Sequence, residues 1–183
     1  SEVEPSGRLR VSAPLDLASY ADVWLAFIDA FPRVALELEL TNRYVDVVRE
    51  GYDLALRGGR GEDDSLVAKP AGSYPLVAVA SPAYVARAGR PDNPADLRRH
   101  SCVLLSAMRP RPGVPDHPAP PHRHVVLNDP EFARRAALHG HGIAILSPRL
   151  VADELRAGRL VKVLSKYDPL QVPLFAVYPD RVH

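Results

Sequence analysis

The chain has 183 residues, of which 46% are hydrophobic and 25% are charged, a mixture typical of a globular protein rather than a disordered one. Lysine and arginine number 23 against 22 aspartates and glutamates, so the net charge of +1 disfavours a stand-alone nucleic-acid or acidic-membrane binder. The longest apolar run, 23–28, is far short of the roughly 20 residues of a membrane-spanning helix, and the single Cys102 excludes an internal disulfide and a zinc–thiolate cluster.

The first half of the chain alternates extended and helical patterns. Residues 34–40 alternate leucines with two glutamates, which is the period of a half-buried strand. Further strands are predicted at 9–13, 53–57, 66–69 and 74–80, and helices at 17–31 and 44–50, the second ended by Gly51. A β-α-β-α-β order favours a largely parallel sheet with helices on its faces.

The predicted helix 17–31 has two apolar stripes. One contains Leu17, Ala21, Trp24, Ile28 and Phe31, and the other Tyr20, Val23, Phe27 and Ala30. A helix that is apolar on two sides requires two partners. One is expected to be its own sheet, and the other a second lobe or a second subunit.

The second half repeats one capping device, a side chain that can cap a helix followed directly by proline. It occurs at Ser81-Pro82, Asn93-Pro94, Asp129-Pro130 and Ser147-Pro148, and each pair predicts the start of a helix. Strands are predicted at 102–105, 124–127, 143–146, 160–164 and 172–178, with Gly89, Gly140 and Gly158 ending helices between them. This is a second α/β unit, and the six prolines within 109–124 predict an irregular loop.

Two pairs of histidines are the first candidates for chemistry. His122 with His124, and His139 with His141, have short spacings that could contribute to a metal site. The alternatives are a solvated loop for the first pair and a cation at a helix carboxyl end for the second. Because neither pair has further ligands at a suitable spacing, the sequence predicts no metal site.

Catalytic motifs are also absent from the sequence. There is no G-x-S-x-G, Ser81 and Ser147 are explained as helix caps, and Cys102 lies in an apolar run that predicts a buried thiol. The glycine-rich stretch 58–61 is followed by acidic residues and is interpreted as an exposed turn. The sequence therefore predicts that the protein is not an enzyme and has neither catalytic residues nor a cofactor.

With no metal site or catalytic motif predicted, ligand binding in a cleft is the remaining candidate function. In two-lobed α/β proteins ligands bind at the carboxyl ends of the strands, where loop amides and helix starts converge. Those positions here are occupied by Pro14, Leu15, Thr41, Asn42, Ser106 and Asn128. The first two can supply an apolar wall and the others hydroxyl or amide partners, although simple helix capping explains the same residues equally well.

The ordered segments resemble the effector-binding domain of LysR-type transcriptional regulators. The matching segments are GRLRVSAP at 7–14, FPRVALEL at 31–38, RYVDVVREGYDLALR at 43–57, ASPAYV at 80–85, PADL at 94–97 with His100 and Cys102, GHGIAILSP at 140–148, GRLV at 158–161 and VYP at 177–179. The resemblance runs from about residue 7 to the end, and the segment 43–57 is the most diagnostic part of it.

The resemblance implies an α/β fold like that of type 2 periplasmic binding proteins. Two Rossmann-like lobes would be joined by two crossing strands, at 76–80 and 172–177. Residues 1–78 plus 174–183 would form lobe I, and residues 79–173 lobe II. The six candidate residues would then line the inter-lobe cleft.

The same resemblance implies a function in gene regulation in the bacterial cytoplasm. A small-molecule effector, often an organic acid or an aromatic metabolite, would bind in the cleft and change the arrangement of the oligomer, and so DNA binding. Homodimerisation through these domains and a tetramer of the full-length protein are implied. The alternative is an extracytoplasmic solute-binding protein.

Three departures from the family pattern qualify these expectations. The family's winged helix-turn-helix, which would make the DNA contacts, is absent from the sequence, so an isolated regulatory part is expected. The family's final helix after 177–179 is also absent, and the 109–124 segment is atypically rich in proline.

Three arginines near strand ends, Arg10, Arg43 and Arg57, could attract a carboxylate or could serve as surface charges and salt-bridge partners.

Overall fold

The computed structural model describes residues 4–59, 65–106, 121–168 and 170–180. The predicted glycine-rich turn beyond residue 59 and most of the proline-rich loop, 107–120, lie outside the described residues. The chain divides into two compact units, Ser1–Tyr74 with Val172–His183 (the first unit) and Pro75–Gln171 (the second unit). The lobe boundaries predicted from the sequence fall within the same two strands as these boundaries, 66–80 and 170–179.

The first unit is built on a mixed sheet. Its strands are β1 (Gly7–Ala13), β2 (Val34–Leu40), β3 (Leu54–Arg57) and β9 (Leu170–Pro179), in the order β2-β1-β3-β9. β1 pairs in parallel with β2 and β3, whereas β3 and β9 are antiparallel. The glutamates of β2 are exposed and its leucines are half-buried, which confirms the alternation predicted for 34–40.

The predicted helix 17–31 is instead two successive helices. A 3-10 helix, Leu15–Tyr20, begins directly after Pro14, and α1 (Ala21–Ala30) follows it. Tyr20 has φ −108° and ψ 33°, outside the helical region, so it separates the two. No residue of α1 is buried, and Val23, Leu25 and Ile28 are exposed. Val23 and Ile28 come from different predicted stripes, so neither stripe of α1 is fully covered by the described residues of the chain.

The short helix predicted at 44–50 is wrong, because only residues 47–50 form a turn and residues 44–46 have no regular structure. Side chains cap a single turn here: Asp46 Oδ1 accepts from the Arg49 N–H, Glu50 Oε1 accepts from the Asp46 N–H, and the Glu50 N–H donates to the Asp46 carbonyl. This segment still contributes to the core, because Val45 and Val47 pack in one buried cluster with Ala55 of β3.

The second unit contains a sheet in which β7 lies between β4 and β5. Its strands are β4 (Leu66–Ala80), β5 (Ser101–Leu105), β6 (Arg123–Leu127), β7 (Ile143–Leu146) and β8 (Val161–Val163). β5 is parallel to β6 and β7, while β4 is antiparallel to β7 and β8. The strands predicted separately at 66–69 and 74–80 are one continuous strand, β4.

Both faces of the second unit's sheet are covered by helices. These are α2 (Pro82–Ala88), α3 (Pro130–Leu138) and α4 (Ala152–Arg156), with 3-10 helices at Pro94–Arg99 and Ser165–Tyr167. One core cluster joins α3 to Val103, Ala144 and Leu146, and the other joins α2 to Cys102 and Ile143. Cys102 is buried as predicted, and burial raises the pKa of its thiol to about 11.

Three of the four predicted helix starts are confirmed. Ser81 accepts from the Tyr84 N–H and Asp129 from the Glu131 N–H, and a 3-10 helix begins at Pro94. The fourth, at Ser147-Pro148, is wrong because a turn closed by the Leu150 N–H on the Ser147 carbonyl intervenes before α4. Among the described residues, no helix is both long and apolar enough to cross a membrane.

One partly buried ion pair links α3 to α4. The Arg134 guanidinium lies 2.5 Å from Glu154, and the two side chains are 19% and 10% exposed. Removing Arg134 leaves the 10% exposed Glu154 with only the longer, 3.7 Å ion pair to Arg159. We expect Arg134→Ala to lower the free energy of unfolding by about 2–3 kcal/mol, measured by urea denaturation.

The matched control is Arg156→Ala, which breaks the exposed pair with Asp153. An exposed pair contributes less than about 1 kcal/mol. Equal losses in the two variants would contradict the role assigned to the α3–α4 pair.

Candidate functional site

The parallel pairing of β1 and β2 brings two loops together at one edge of the first unit. The register ends with Ala13 opposite Leu40, and the Thr41 N–H donates to the Ala13 carbonyl at 2.8 Å. The segment after β1 therefore lies beside the segment after β2. Four of the predicted site residues occupy this edge: Pro14, Leu15, Thr41 and Asn42.

Asn42 uses one side of its amide to hold the loop after β1. Its Oδ1 accepts from the Leu15 N–H at 3.1 Å, at the start of the 3-10 helix, where Pro14 offers no capping side chain. Its Nδ2 is buried and has no hydrogen-bond partner among the described residues. The sequence did not decide between helix capping and ligand binding for Asn42. The two roles are compatible here, because Oδ1 caps the helix while Nδ2 is not used by the cap.

Thr41 shows a similar division between its acceptor and its donor. Its Oγ1 accepts from the Arg43 N–H at 3.1 Å, which fixes the turn after β2. A hydroxyl that accepts one hydrogen bond still has a proton to donate. The edge of β1 and β2 thus contains two donors, the buried Asn42 amide and the Thr41 hydroxyl, beside the half-buried Leu15.

The structure adds Asp16, which was not among the predicted site residues. Its side chain is 7% exposed, Oδ2 accepts from the Tyr74 hydroxyl at 3.3 Å, and Oδ1 has no partner among the described residues. Burial raises the pKa of Asp16, an effect partly offset by the Tyr74 hydrogen bond. The sequence signal was an acid three residues after the first predicted strand, within the loop but not in the predicted set.

The second unit has its own pair of predicted residues. Ser106 follows β5 and Asn128 follows β6, and these strands end in register, with Leu105 opposite Leu127. Both residues are exposed, and Asn128 directly precedes Asp129, the cap of α3. The six predicted residues are therefore grouped as four at one strand edge of the first unit and two at one strand edge of the second.

The three arginines considered as carboxylate attractors have partners within the fold. Arg43 makes a bidentate ion pair with Glu50, at 2.7 and 2.8 Å, which lowers the pKa of that carboxyl to about 2. Arg10 donates to the Glu50 carbonyl and lies over the Tyr52 ring, and Arg57 donates to the Val45 carbonyl at 2.8 Å. These contacts favour the structural interpretation of all three.

The histidine pairs do not form a metal centre in the described part of the chain. Within residues 4–59, 65–106, 121–168 and 170–180, no group of three histidine, cysteine, aspartate or glutamate side chains is arranged to hold a metal ion. His124 and His141 instead border a small cavity of the second unit, away from Ser106 and Asn128.

Two α/β units linked by two strands define a ligand-binding domain of the type 2 periplasmic-binding-protein class. The chain belongs to the LysR substrate binding domain family, whose model matches residues 2–183.

Known relatives are transcriptional regulators. The chain is 34% identical over 187 residues to PtxR of Pseudomonas aeruginosa, an HTH-type transcriptional regulator, covering 97% of this chain and 59% of PtxR. It thus spans about three fifths of the length of such curated relatives.

Two solved structures show the same fold. The regulatory domain of CrgA from Neisseria meningitidis, a LysR-type transcriptional regulator, superposes with a TM-score of 0.70 and 26% identity, covering 96% of this chain and 90% of that one. The full-length Vibrio cholerae virulence activator AphB matches with the same score and identity, covering 96% of this chain and 63% of AphB.

The buried carboxyl of Asp16 predicts a pH-dependent stability. Because its folded pKa is raised above the ordinary 3.8, its contribution is fully favourable below that value and is lost as the pH rises through the folded pKa. We expect Asp16→Asn, which cannot ionise, to gain stability relative to the original chain as the pH rises from about 3.5 to 7. Thermal unfolding across that range measures the difference.

Tyr74→Phe provides the comparison. It removes the hydrogen bond that partly stabilises the ionised carboxylate, so its loss of stability with rising pH should exceed that of the original chain. If the difference in stability between Asp16→Asn and the original chain is the same at every pH, the raised pKa assigned to Asp16 is refuted.

Proposed function

We propose that this chain is the part of a LysR-type transcriptional regulator that binds and senses a small-molecule effector. The observation that carries the proposal is the edge of β1 and β2, where Asn42 caps the neighbouring loop with its oxygen while its amide donor stays unpaired among the described residues. A buried donor without a partner is costly, and a ligand acceptor would satisfy it.

The donors at this edge favour an effector that carries acceptors. The Asn42 amide and the Thr41 hydroxyl suit a carboxylate or carbonyl oxygen, and Leu15 with Pro14 offers apolar contact to a hydrocarbon or ring. An organic acid or an aromatic metabolite meets both requirements. Ser106 and Asn128 of the second unit are proposed to contact the same effector.

We infer that binding works by population shift. An effector that contacts residues of both units favours the conformations in which those contacts form, and couplings of this kind are typically about 1–3 kcal/mol. In the full-length protein, that shift would change how DNA-binding domains preceding this one are arranged. The proposed setting is the bacterial cytoplasm.

The oligomer is proposed to form through α1. Val23, Leu25 and Ile28 are exposed on this helix, and Phe132 of α3 is exposed as well. Apolar side chains gathered on one helix are typical of a surface that a partner covers. A homodimer of this domain, and a tetramer of the full-length regulator, would bury them.

The alternative of an extracytoplasmic solute-binding protein is not favoured. The curated relatives are transcriptional regulators, and the family model is that of LysR proteins.

The effector site is tested with Asn42→Asp. Aspartate keeps the oxygen that accepts from Leu15 but removes the donor and adds a negative charge, so an acidic effector should lose affinity while the fold persists. Candidate organic acids and aromatic metabolites are screened by thermal shift on the original chain. A ligand at 100 times its Kd stabilises by about 2.7 kcal/mol, or roughly 5–10 °C in Tm.

Asn42→Asp and Thr41→Val should each reduce the effector-induced rise in Tm to near zero, whereas the exposed control Arg49→Ala should keep it. If both site variants respond to the effector as the original chain does, the β1–β2 edge is not the effector site.

The proposed dimer is tested on α1. Ile28→Glu places a charge among the exposed apolar side chains of α1, so we expect it to give a monomer in sedimentation-velocity experiments where the original chain sediments as a dimer. Because Ile28 is exposed, the monomer should remain folded by circular dichroism. The control is Asp29→Asn, which changes an exposed polar side chain next to Ile28, and a dimer that survives Ile28→Glu would refute this interface.

A further inference from the structure

The small cavity bordered by His124 and His141 lies in the second unit, at the strand edge opposite to Ser106 and Asn128. It measures about 110 Å³ and opens where β5 and β6 begin, beside Ser101 and Cys102. The helix α2 contributes Arg87 to its wall, and the turn after α3 contributes His141. The candidate effector site does not use any of these residues.

The wall of this cavity is rich in cationic and donor side chains. Arg87, Arg123, His124 and His141 border it, and none of its described lining residues is a carboxylate. Several exposed arginines elsewhere are paired with carboxylates, as Arg99 is with Asp96 and Arg43 with Glu50. Within the described residues Arg123 has no ion pair or hydrogen bond, so its charge at the cavity is uncompensated.

The cavity wall is held by buried structure. The Arg87 guanidinium donates to the Gly140 carbonyl at 2.9 Å and lies 5.5 Å from the centre of the Tyr84 ring. Tyr84 is itself buried, with its hydroxyl 2.9 Å from His100 Nδ1 and accepting from the Ser101 N–H at 2.9 Å. Arg87 is therefore positioned by contacts that exist without a ligand.

The turn that carries His141 is equally fixed. Gly140 adopts a φ of +77°, and its N–H donates to the Ala137 carbonyl while the His141 N–H donates to the Ala136 carbonyl. This is the pattern that closes a helix carboxyl end. A side chain at Gly140 would be strained by that φ, so the turn holds His141 at the rim.

We propose that this cavity binds a tetrahedral oxyanion, the phosphoryl group of a small metabolite or free phosphate. Guanidinium groups present forked donors that match phosphate oxygens, and an imidazole adds at least one further N–H. One water molecule needs about 10–15 Å³ of such a cavity, so the volume accommodates several waters or one phosphate group.

A metal ion is the competing interpretation, and the described residues disfavour it. They contain no cluster of three metal-ligating side chains, and two guanidinium groups beside the cavity repel a cation. The oxyanion site thereby gives a role to one member of each histidine pair, His124 on β6 and His141 after α3.

The test titrates the 183-residue chain with inorganic phosphate while sodium chloride holds the ionic strength constant. Binding is followed by calorimetry and by the imidazole NMR signals of His124 and His141. Arg123→Gln should weaken phosphate binding about tenfold, equivalent to about 1.4 kcal/mol. Because Arg123 is exposed and unpaired among the described residues, the variant should keep the original unfolding temperature.

Arg156→Gln is the matched control, with the same change of charge on α4 and away from the cavity. It should bind phosphate within twofold of the original chain. Equal weakening in the two variants, or a response to phosphate no larger than the response to chloride, would overturn the proposal.

A phosphate monoester, glycerol 3-phosphate, distinguishes the two sources of the oxyanion. Tighter binding than inorganic phosphate identifies a phosphorylated metabolite, and weaker binding identifies the free ion. Failure of both probes refutes the oxyanion site. None of these results depends on Asn42, so the effector proposal is judged separately.

Discussion

The parallel register of β1 and β2 is the constraint on which the candidate effector site depends. Parallel strands end at the same edge, so the pairing that runs from Gly7 opposite Val34 to Ala13 opposite Leu40 places two loops side by side. The hydrogen bond from the Leu15 N–H to Asn42 Oδ1 exists only because of that register. A slip of one residue would turn the side chains of β1 to the other face and separate the capping amide from its helix.

Strands were the most predictable part of the fold, since their signals are local. The alternation at 34–40 and the apolar run at 143–146 gave the observed strands, and Ser81 and Asp129 cap helices as their sequences indicate. The helix predicted at 44–50 is reduced to a single turn, because Asp46 caps it at Arg49 and Gly51, with φ +70°, ends it directly after Glu50. The role of Asp16 was beyond the sequence, because it depends on Tyr74, 58 residues away.

The two strand edges of the second unit differ in chemistry. At the carboxyl edge Ser106 and Asn128 offer an uncharged hydroxyl and amide, while the amino edge gathers two arginines and two histidines around a cavity. The buried strands between them are apolar, and Val103 and Ala144 belong to the main core cluster. A well-packed sheet can thus support polar groups at both ends, since the packing between them supplies the stability.

The first unit is assembled from both ends of the chain, with the second unit inserted between residues 74 and 172. Its sheet is completed only when β9 pairs with β3, Val177 lying opposite Ala55. During synthesis on the ribosome, the second unit leaves the exit tunnel before Val172–Pro179, the part of β9 that belongs to the first unit. Because domains generally fold as units while the chain grows, the inserted unit can mature first, and the unit that begins the chain waits for its last strand.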